Sequence, residues 1–198
     1  MSKNNITSDF DVAYKVLTLG ASSLLFMANN LDNSFTTALD ILQSVKGRVI
    51  VSGMGKSGHV ARKVSATLAS TGTPSQFIHP AEASHGDLGM ITVSDACLLF
   101  SNSGETVELN SIINHARSFN IPLVCVTKNS ESYLSRSSDV SLLIPDIPEG
   151  CSNGMAPTTS TLASMALGDA LAIALMERKQ FSMNDFKMLH PGGKLGNG

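Results

Sequence analysis

RVIVSGMGKSGH, residues 48–59, joins a short apolar stretch to a glycine-rich turn that carries one lysine, and this stretch decides the fold. Its first five residues predict a buried strand, because β-branched residues stand in a short run that Gly53 ends. From Ser57 onward the apolar residues follow a helical spacing, which Gly72 closes as a C-cap. A strand, a glycine turn and a helix start direct backbone N–H groups and the positive end of the helix toward an anion.

The spacing of the glycines separates competing interpretations of this turn. A nucleoside-triphosphate phosphate loop needs a glycine where Ile50 stands, so that interpretation fails. The dinucleotide fingerprint is matched, but it needs an acid near the end of the next strand, where the sequence has His79. Two interpretations remain, a turn whose glycines serve only close packing and a site for a phosphate or a sugar.

Composition and charge exclude several classes of protein. The 198 residues, 42% of them hydrophobic, suffice for one domain with a sizeable core. A net charge of −2 without a basic block argues against a nucleic-acid surface. No apolar run approaches the roughly eighteen residues of a membrane span, and the polar N-terminus lacks a signal-peptide core. We therefore expect a cytoplasmic protein with neither nucleic acid nor membrane as partner.

Cys97, Cys125 and Cys151 are odd in number and far apart in the sequence, so neither a disulfide framework nor a zinc cluster is predicted.

Apolar periodicities predict an alternation of strands and helices behind two N-terminal helices, residues 9–31 and 32–45. After the first strand, further strands are predicted at 75–78, 96–100, 122–127 and 140–144, and helices at 105–119, 131–135, 158–178 and 182–188. This is an α/β fold with a five-stranded parallel sheet, doubly wound as in flavodoxin. We expect a single domain over residues 1–198, made of N-terminal helices (1–46), an α/β core (47–178) and a short C-terminal helix with a tail (179–198).

A second loop, SNSGET, lies between a predicted strand and a predicted helix. Its hydroxyls at Ser101, Ser103 and Thr106 stand beside the N–H groups of the helix start and form a neutral cradle for a phosphate. In a doubly wound sheet of order 2-1-3-4-5, strands one and three are neighbours at the switch point. Both loops are therefore expected to face one crevice.

Several separate motifs together carry a family resemblance: GMGKSGH, STGTPSQFIHPAEASHGDLGM, SNSGET with Glu108 after it, APTTSTLASMALGDALA and HPGGKLG. From about residue 10 to its end the sequence resembles the sugar isomerase (SIS) domain of the D-arabinose 5-phosphate isomerase family. Members commonly carry a pair of CBS domains after the HPGG motif, which this sequence does not include.

The resemblance implies an aldose–ketose isomerase that interconverts D-ribulose 5-phosphate and D-arabinose 5-phosphate through an enediol, the first step toward the Kdo sugar of lipopolysaccharide. Such a reaction needs a base near C1 and C2, a charge partner for the developing oxyanion and a grip on the phosphate. The alternatives are a non-catalytic sugar-phosphate-binding SIS regulatory module and another phosphosugar isomerase. No cofactor is required, and we expect no bound nicotinamide.

The resemblance also implies residue roles. The catalytic positions are Lys56, Glu108, Glu149 and His190, and the sequence leaves open which glutamate is the base. His79 is implied as a contact to zinc or another divalent metal. The implied substrate-binding residues are Gly55, Ser57, Gly72, Thr73, His85, Ser101, Asn102, Ser103, Gly104 and Thr106. Outside this set, Asp169 is expected to be paired in a structural role, and His115 to be exposed.

The position of His190 predicts an oligomer. The helix over residues 158–178 carries the chain about 30 Å from the crevice. The twelve residues from 179 to 190 span at most roughly 27 Å, so a return to the crevice of the same chain is barely within reach. We therefore expect His190 to complete the site of a neighbouring chain, in a homo-oligomer with shared active sites that is predicted to be a tetramer.

Overall fold

Five parallel strands form one sheet in the computed structural model, which describes residues 8–192. The order β2-β1-β3-β4-β5 confirms the predicted doubly wound sheet. The order reverses between β1 and β3, which run side by side from Val49 opposite Ala96 to Gly53 opposite Phe100. The strands are β1 (Val49–Gly53), β2 (Ser75–Phe77), β3 (Ala96–Phe100), β4 (Leu123–Thr127) and β5 (Val140–Leu143).

Helices cover both faces of this sheet, and α1 adds an outer layer on α7. Within residues 8–192 the α-helices are α1 (Asp9–Asn29), α2 (Asn33–Ser44), α3 (Gly55–Ser70), α4 (Pro80–Ala83), α5 (Asn110–Ser118), α6 (Tyr133–Arg136), α7 (Thr159–Arg178) and α8 (Met183–Leu189). Short 3-10 turns lie at Asp87–Met90 and Val107–Leu109. The predicted elements are therefore present, with shifted ends.

Two hydrophobic cores lie on opposite sides of the sheet. Val49 and Val51 pack with α2, α3 and α7, whereas Ile50 packs with α5 on the other side. Side chains of a strand alternate between the faces, so a strand covered on both sides reads as a continuous apolar run. All residues of β1, β3 and β4 are buried for this reason.

The glycine turn after β1 combines close packing with an unusual backbone angle. A Cβ on Gly58 would lie 2.6 Å from the carbonyl oxygen of Gly53, so the glycine at 58 lets α3 approach the strand. Gly55 has a φ of 57°, which favours glycine, and a Cβ there would meet only open space. The packing interpretation therefore holds for part of the turn, and the remainder faces a crevice.

Several local predictions need correction. The predicted helix at 105–119 begins with a 3-10 turn and becomes α-helical only at Asn110. Helix α4 and the turn Asp87–Met90 were not predicted, because four residues are too few to show a period. His115 is half-buried rather than exposed, with Nε2 3.3 Å from the Ile91 carbonyl oxygen. Asp169 has the structural partner that was predicted, since it forms an ion pair with Lys63.

Within residues 8–192, the helices α1 and α7 are long and apolar enough to cross a membrane by length and composition. Uninterrupted apolar runs remain short because Ser, Thr, Gly and Asn divide them, which is why the sequence did not single out these helices. Helix α7 packs against α3 and the sheet as a core helix. Helix α1 is only 11% buried over its most apolar window.

Candidate active site

A crevice of about 220 Å³ opens at the carboxyl ends of β1 and β3, on the side covered by α3 and α7. The switch point of a doubly wound sheet is where such folds bind ligands. A second crevice of about 320 Å³ adjoins it and shares three lining residues, Asn102, Pro157 and Ser160. The first is also lined by Met54, Lys56, Ser57, Val60, Thr161 and Ser164, and the second by Lys128, Glu149 and the loop residues 145–148, 154 and 155.

Lys56 is an exposed cation in the first turn of α3. Within residues 8–192 its ammonium has neither a hydrogen bond nor an ion pair, whereas the lysine two turns further along α3, Lys63, pairs with Asp169. The N-terminus of α3 adds a partial positive charge at the same place. Lys56 and the N-terminus of α3 thus give the crevice the positive wall that a phosphate or an oxyanion requires, and Ser57 adds a hydroxyl to that wall.

In the SNSGET loop, fewer hydroxyls are free to bind a ligand than the sequence predicted. Ser101 is buried, and its hydroxyl lies 2.7 Å from that of Thr106 while accepting the Gly104 N–H at 3.0 Å. Ser103 is exposed, and its hydroxyl accepts the Glu105 N–H at 3.2 Å. The hydroxyls of Ser101 and Thr106 therefore hold the loop together, and that of Ser103 is the accessible one.

Two buried polar atoms beside the crevice have no partner. Neither Asn102 Oδ1 nor Thr159 Oγ1 finds a hydrogen bond in the part of the chain that the structure describes. An unsatisfied buried polar atom costs about 1–3 kcal/mol, so native proteins rarely leave one without a reason. Asn102 also lines both crevices, so this residue stands beside any ligand that binds there.

Glu149 closes the N-terminus of α7. Its Oε2 accepts the backbone N–H of Thr158 at 2.7 Å and of Ser160 at 3.3 Å, and its Oε1 accepts the Ser160 hydroxyl. Partial burial raises the pKa of this carboxyl, but the hydrogen bonds from Ser160 and Thr158 outweigh that effect and leave the pKa below its ordinary value. Both oxygens are thus already occupied by the protein.

Glu108 lies in the 3-10 turn after the SNSGET loop, which packs against α4 and α5, and it is not among the residues that line either crevice. Its carboxylate is exposed, and no hydrogen bond or ion pair reaches it from residues 8–192. The helix predicted over residues 105–119 would place Glu108 one turn inside it, but the α-helix begins only at Asn110. The position at the carboxyl end of β3 nevertheless leaves the group available to a ligand.

The histidines after β2 do not form a metal centre within residues 8–192, where no group of three ligand-type side chains is brought together. His79 caps α4, its Nδ1 accepting the Ala81 N–H at 3.3 Å. His85 is exposed on the same segment. One histidine without further ligands does not fit the donor set of a zinc site.

Three predicted site residues lie at the opposite end of the sheet. Gly72 follows the last turn of α3, sixteen residues and about 24 Å from Lys56. Thr73 is buried beside it, and Lys179 donates to the Thr73 hydroxyl at 2.8 Å. His190 ends α8, next to Leu189, which lines a cavity with Gly72. One chain therefore does not bring Gly72, Thr73 or His190 to the crevice.

Sequence reasoning missed the contribution of α7. Ser160, Thr161 and Ser164, from this helix, line the first crevice. Lys128, which lies outside α7 and was also missed, lines the second crevice. The hydroxyl-rich start of α7, APTTSTLAS, was visible in the sequence and could have indicated a polar wall.

The matching family model is described as the SIS domain and covers residues 41–174. The chain is 46% identical to arabinose 5-phosphate isomerase KdsD of Escherichia coli K12 over 95% of its length, and 50% identical to arabinose 5-phosphate isomerase KpsF of E. coli CFT073 over 89%. It spans only 58% and 54% of the lengths of those two proteins.

Among solved structures, a protein of E. coli CFT073 in complex with arabinose 5-phosphate superposes with a TM-score of 0.88 at 37% identity. The superposition covers 93% of this chain and 100% of the other. The two proteins thus share one architecture over nearly all of this chain.

Proposed function

The chain belongs to the SIS-domain family, and from this premise we propose that it interconverts D-ribulose 5-phosphate and D-arabinose 5-phosphate through an enediol. The observation that carries the proposal is the crevice at the switch point, which Lys56 and Asn102 line together. Among residues 8–192 the lysine has no partner, and Asn102 Oδ1 is buried without one. The relatives named above as arabinose 5-phosphate isomerases supply the substrate class.

The proposed reaction moves a proton between C1 and C2 while negative charge develops on the adjacent oxygen. A fixed cation stabilises that charge most when it has no competing partner and lies in a crevice. Lys56 meets both conditions within the described chain. Its side chain, with the N-terminus of α3, therefore carries the electrostatic part of the reaction.

We assign the proton transfer to Glu108 rather than Glu149. A general base needs an unoccupied oxygen within hydrogen-bond reach of the proton that it removes. Both oxygens of Glu149 accept hydrogen bonds from the start of α7, and those bonds lower its pKa. Glu108 accepts no such bonds from the residues that the structure describes.

Glu149 then acts by holding the loop between β5 and α7 against the helix. Its hydrogen bonds come from Thr158 and Ser160, at the start of α7, and Ser160 lines the crevice. Ser103 contributes the accessible hydroxyl of the phosphate grip, and Ser57 contributes a second hydroxyl in the wall of the crevice. This division of roles leaves Lys56 and Glu108 as the groups that act on the reacting carbons.

The proposal includes shared active sites in a homo-oligomer, which we expect to be a tetramer. Its support is the separation of the two residue sets by the length of α3 and α7. A second chain that presents Gly72, Thr73 and His190 to the crevice would complete the set without unfolding either chain.

The proposal extends to a cytoplasmic enzyme acting at the first step toward the Kdo sugar of lipopolysaccharide, without a cofactor. The support is the resemblance to the relatives and the chemistry of proton transfer, which Lys56 and a glutamate can perform alone. A metal at His79 is not part of the scheme, because within the described chain this histidine belongs to no group of three ligand-type side chains.

The decisive experiment is incubation of the protein with D-ribulose 5-phosphate in deuterated water, followed by identification of the product by NMR. We expect D-arabinose 5-phosphate, with deuterium at C2. Lys56→Ala is the inactive control, and Lys63→Ala, on the same helix but paired with Asp169, is the control that retains activity. Binding of the sugar phosphate without turnover or exchange would instead identify a regulatory SIS module, and a different product would identify another phosphosugar isomerase.

A further inference from the structure

Helix α1 reaches the candidate active site through the loop between β5 and α7. A Cβ on Gly150 would lie 2.7 Å from Cγ2 of Val16 and 3.3 Å from its Cα, so the two residues are in close contact. Gly150 is buried, and its φ lies outside the left-handed region, so its backbone conformation does not itself require glycine. The lack of a side chain at Gly150 is therefore what allows α1 to approach the loop this closely.

The loop at Gly150 is connected to the walls of both crevices by hydrogen bonds. The Gly150 N–H donates to the Thr158 hydroxyl at 2.8 Å, and Glu149 Oε2 accepts the Thr158 N–H at 2.7 Å. The Ser160 hydroxyl donates to Glu149 Oε1, and Ser160 lines both crevices. A shift of Gly150 would therefore be transmitted through Thr158 and Glu149 to Ser160.

A second close contact determines how far α1 lies from α7. A Cβ on Gly20 would lie 2.7 Å from Leu162 Cδ2, and Gly20 and Ser23 are buried in α1. Val16 is half-buried and precedes Gly20 by four residues, which places both on the same face of the helix. The packing of α1 on α7 thus directs Val16 toward Gly150.

We propose that Val16 is a positioning residue for the candidate active site. Its side chain occupies the space that Gly150 leaves open, and it so holds the loop of Glu149 and the start of α7 in one arrangement. Displacement of a positioning group by about 1 Å can cost roughly 100-fold in rate, so a contact outside the crevice can affect turnover. The expected effect on turnover rests on the isomerase proposal, whereas the effect on the loop does not.

The contact is expected to act on the geometry of the loop more than on the stability of the fold. Val16 is half-buried, whereas the two hydrophobic cores are built from buried side chains. Loops that carry functional groups open locally at a lower free energy than the core, so a neighbouring helix can support the loop without being needed by the sheet. A fall in kcat that exceeds any change in KM, at a nearly unchanged melting temperature, is therefore the signature of the proposed role.

The test uses the full chain and two substitutions that should compensate each other. Gly150→Val places a branched side chain where even a Cβ would lie too close to Val16, and we expect it to lower kcat for D-ribulose 5-phosphate at least roughly tenfold. Val16→Ala removes Cγ2, the atom that lies nearest, and should recover roughly threefold or more of the lost kcat. Val12→Ala is the matched control, because it removes the same two methyl groups one helical turn earlier, from a residue that is 47% exposed. No recovery with Val16→Ala, or equal recovery with Val12→Ala, would overturn the proposal.

Hydrogen exchange tests the contact without an activity assay and remains informative if Gly150→Val folds poorly. Mass spectrometry of peptides covering residues 149–158 should show roughly tenfold faster exchange in Val16→Ala than in the wild type, and no change in Val12→Ala. Unchanged exchange in Val16→Ala would also overturn the proposal. A wild type without isomerase activity, combined with faster exchange in Val16→Ala, would refute the isomerase proposal and support the positioning of the loop by Val16.

Discussion

The two ends of the parallel sheet use charged side chains in opposite ways. At the amino end, the buried carboxylate of Asp95 accepts the N–H groups of Arg48 and Thr92, both at 2.7 Å. Asp139 accepts two hydrogen bonds from Arg117 and one from the Leu123 N–H. At the carboxyl end, Lys56 and Glu108 have no partner within residues 8–192.

This difference separates charges that build the fold from charges that are available for chemistry. A carboxylate with all its oxygens occupied stabilises a loop, and a charge left without a partner beside a crevice is free to bind or to react. Glu149 stands at the carboxyl end but resembles Asp95 and Asp139, because the chain already satisfies it. The comparison thus distinguishes Glu108 from Glu149, which the sequence alone left as equal candidates for the base.

The largest effect expected concerns those two glutamates. Glu108→Gln should slow exchange of the C2 proton with solvent by roughly 10²–10⁴-fold without lowering the melting temperature. Glu149→Gln keeps part of the hydrogen bonding at α7, so it should slow exchange much less and lower the melting temperature. NMR exchange rates and thermal melts of both variants test which glutamate is the base. The opposite ranking of exchange rates would make Glu149 the base.

Mixing two variants, one changed at each end of the sheet, tests whether the active site is shared between chains. Lys56→Ala and His190→Ala should each be inactive alone, because each removes one half of a site shared between chains. After the two variants are dissociated and reassembled in equal amounts, roughly a quarter of the sites inherit both intact halves. Activity should therefore return to about that fraction. Mixed oligomers that are shown to form and yet stay inactive would refute the shared site.

A substitution at the amino end of the sheet should lower the stability of the fold and leave the activity unchanged. Asp95→Ala leaves the N–H groups of Arg48 and Thr92 without acceptors in a buried loop, which should cost about 2–4 kcal/mol of unfolding free energy. Turnover per folded molecule should stay unchanged. Chemical denaturation together with kinetics below the transition tests both statements, and a selective loss of turnover would show that this end also contributes to catalysis.

A smaller effect is expected at the phosphate grip. Ser103→Ala removes one accessible hydroxyl, a change of about 1 kcal/mol or roughly fivefold in KM for both pentose phosphates. Ser118→Ala, exposed at the last residue of α5, is a suitable control with no expected effect. Substrate affinity that is normal in Ser103→Ala would mean that the phosphate is held elsewhere in the crevice.

The smallest expected effect concerns the stability of the fold at acidic pH. Hydrogen bonds from Arg117 hold the pKa of Asp139 below its ordinary value, partial burial notwithstanding, and the pKa of Glu149 is lowered as well. Groups with lowered pKa stabilise the fold above the unfolded values of 3.8 and 4.5, and that stability is lost as pH falls through the folded values. The melting temperature of the wild type should thus fall below about pH 4.5, and Asp139→Asn should reduce the slope. An identical slope in the variant would contradict this.

The sequence predicted the strands and their order well because each strand is a short apolar run bounded by breakers. The crevice at the switch point followed from that order, and it brings Lys56 and Asn102 together as expected. The phosphate cradle stays a prediction. Ser101 and Thr106 have suitable hydroxyls, but these bond to each other in the folded loop, which residue identity cannot reveal.

What the sequence determined by itself was local: where β-branched runs form strands, where glycines let α3 approach β1, and which residue types stand in the loops after β1 and β3. Tertiary structure alone decided which of those residues keep a free functional group. Glu108 and Glu149 are the same side chain in two loops, and only the arrival of the α7 N-terminus beside one of them occupies its oxygens. Hydrogen-bond satisfaction depends on atoms distant in sequence, so it is set when the chain is packed.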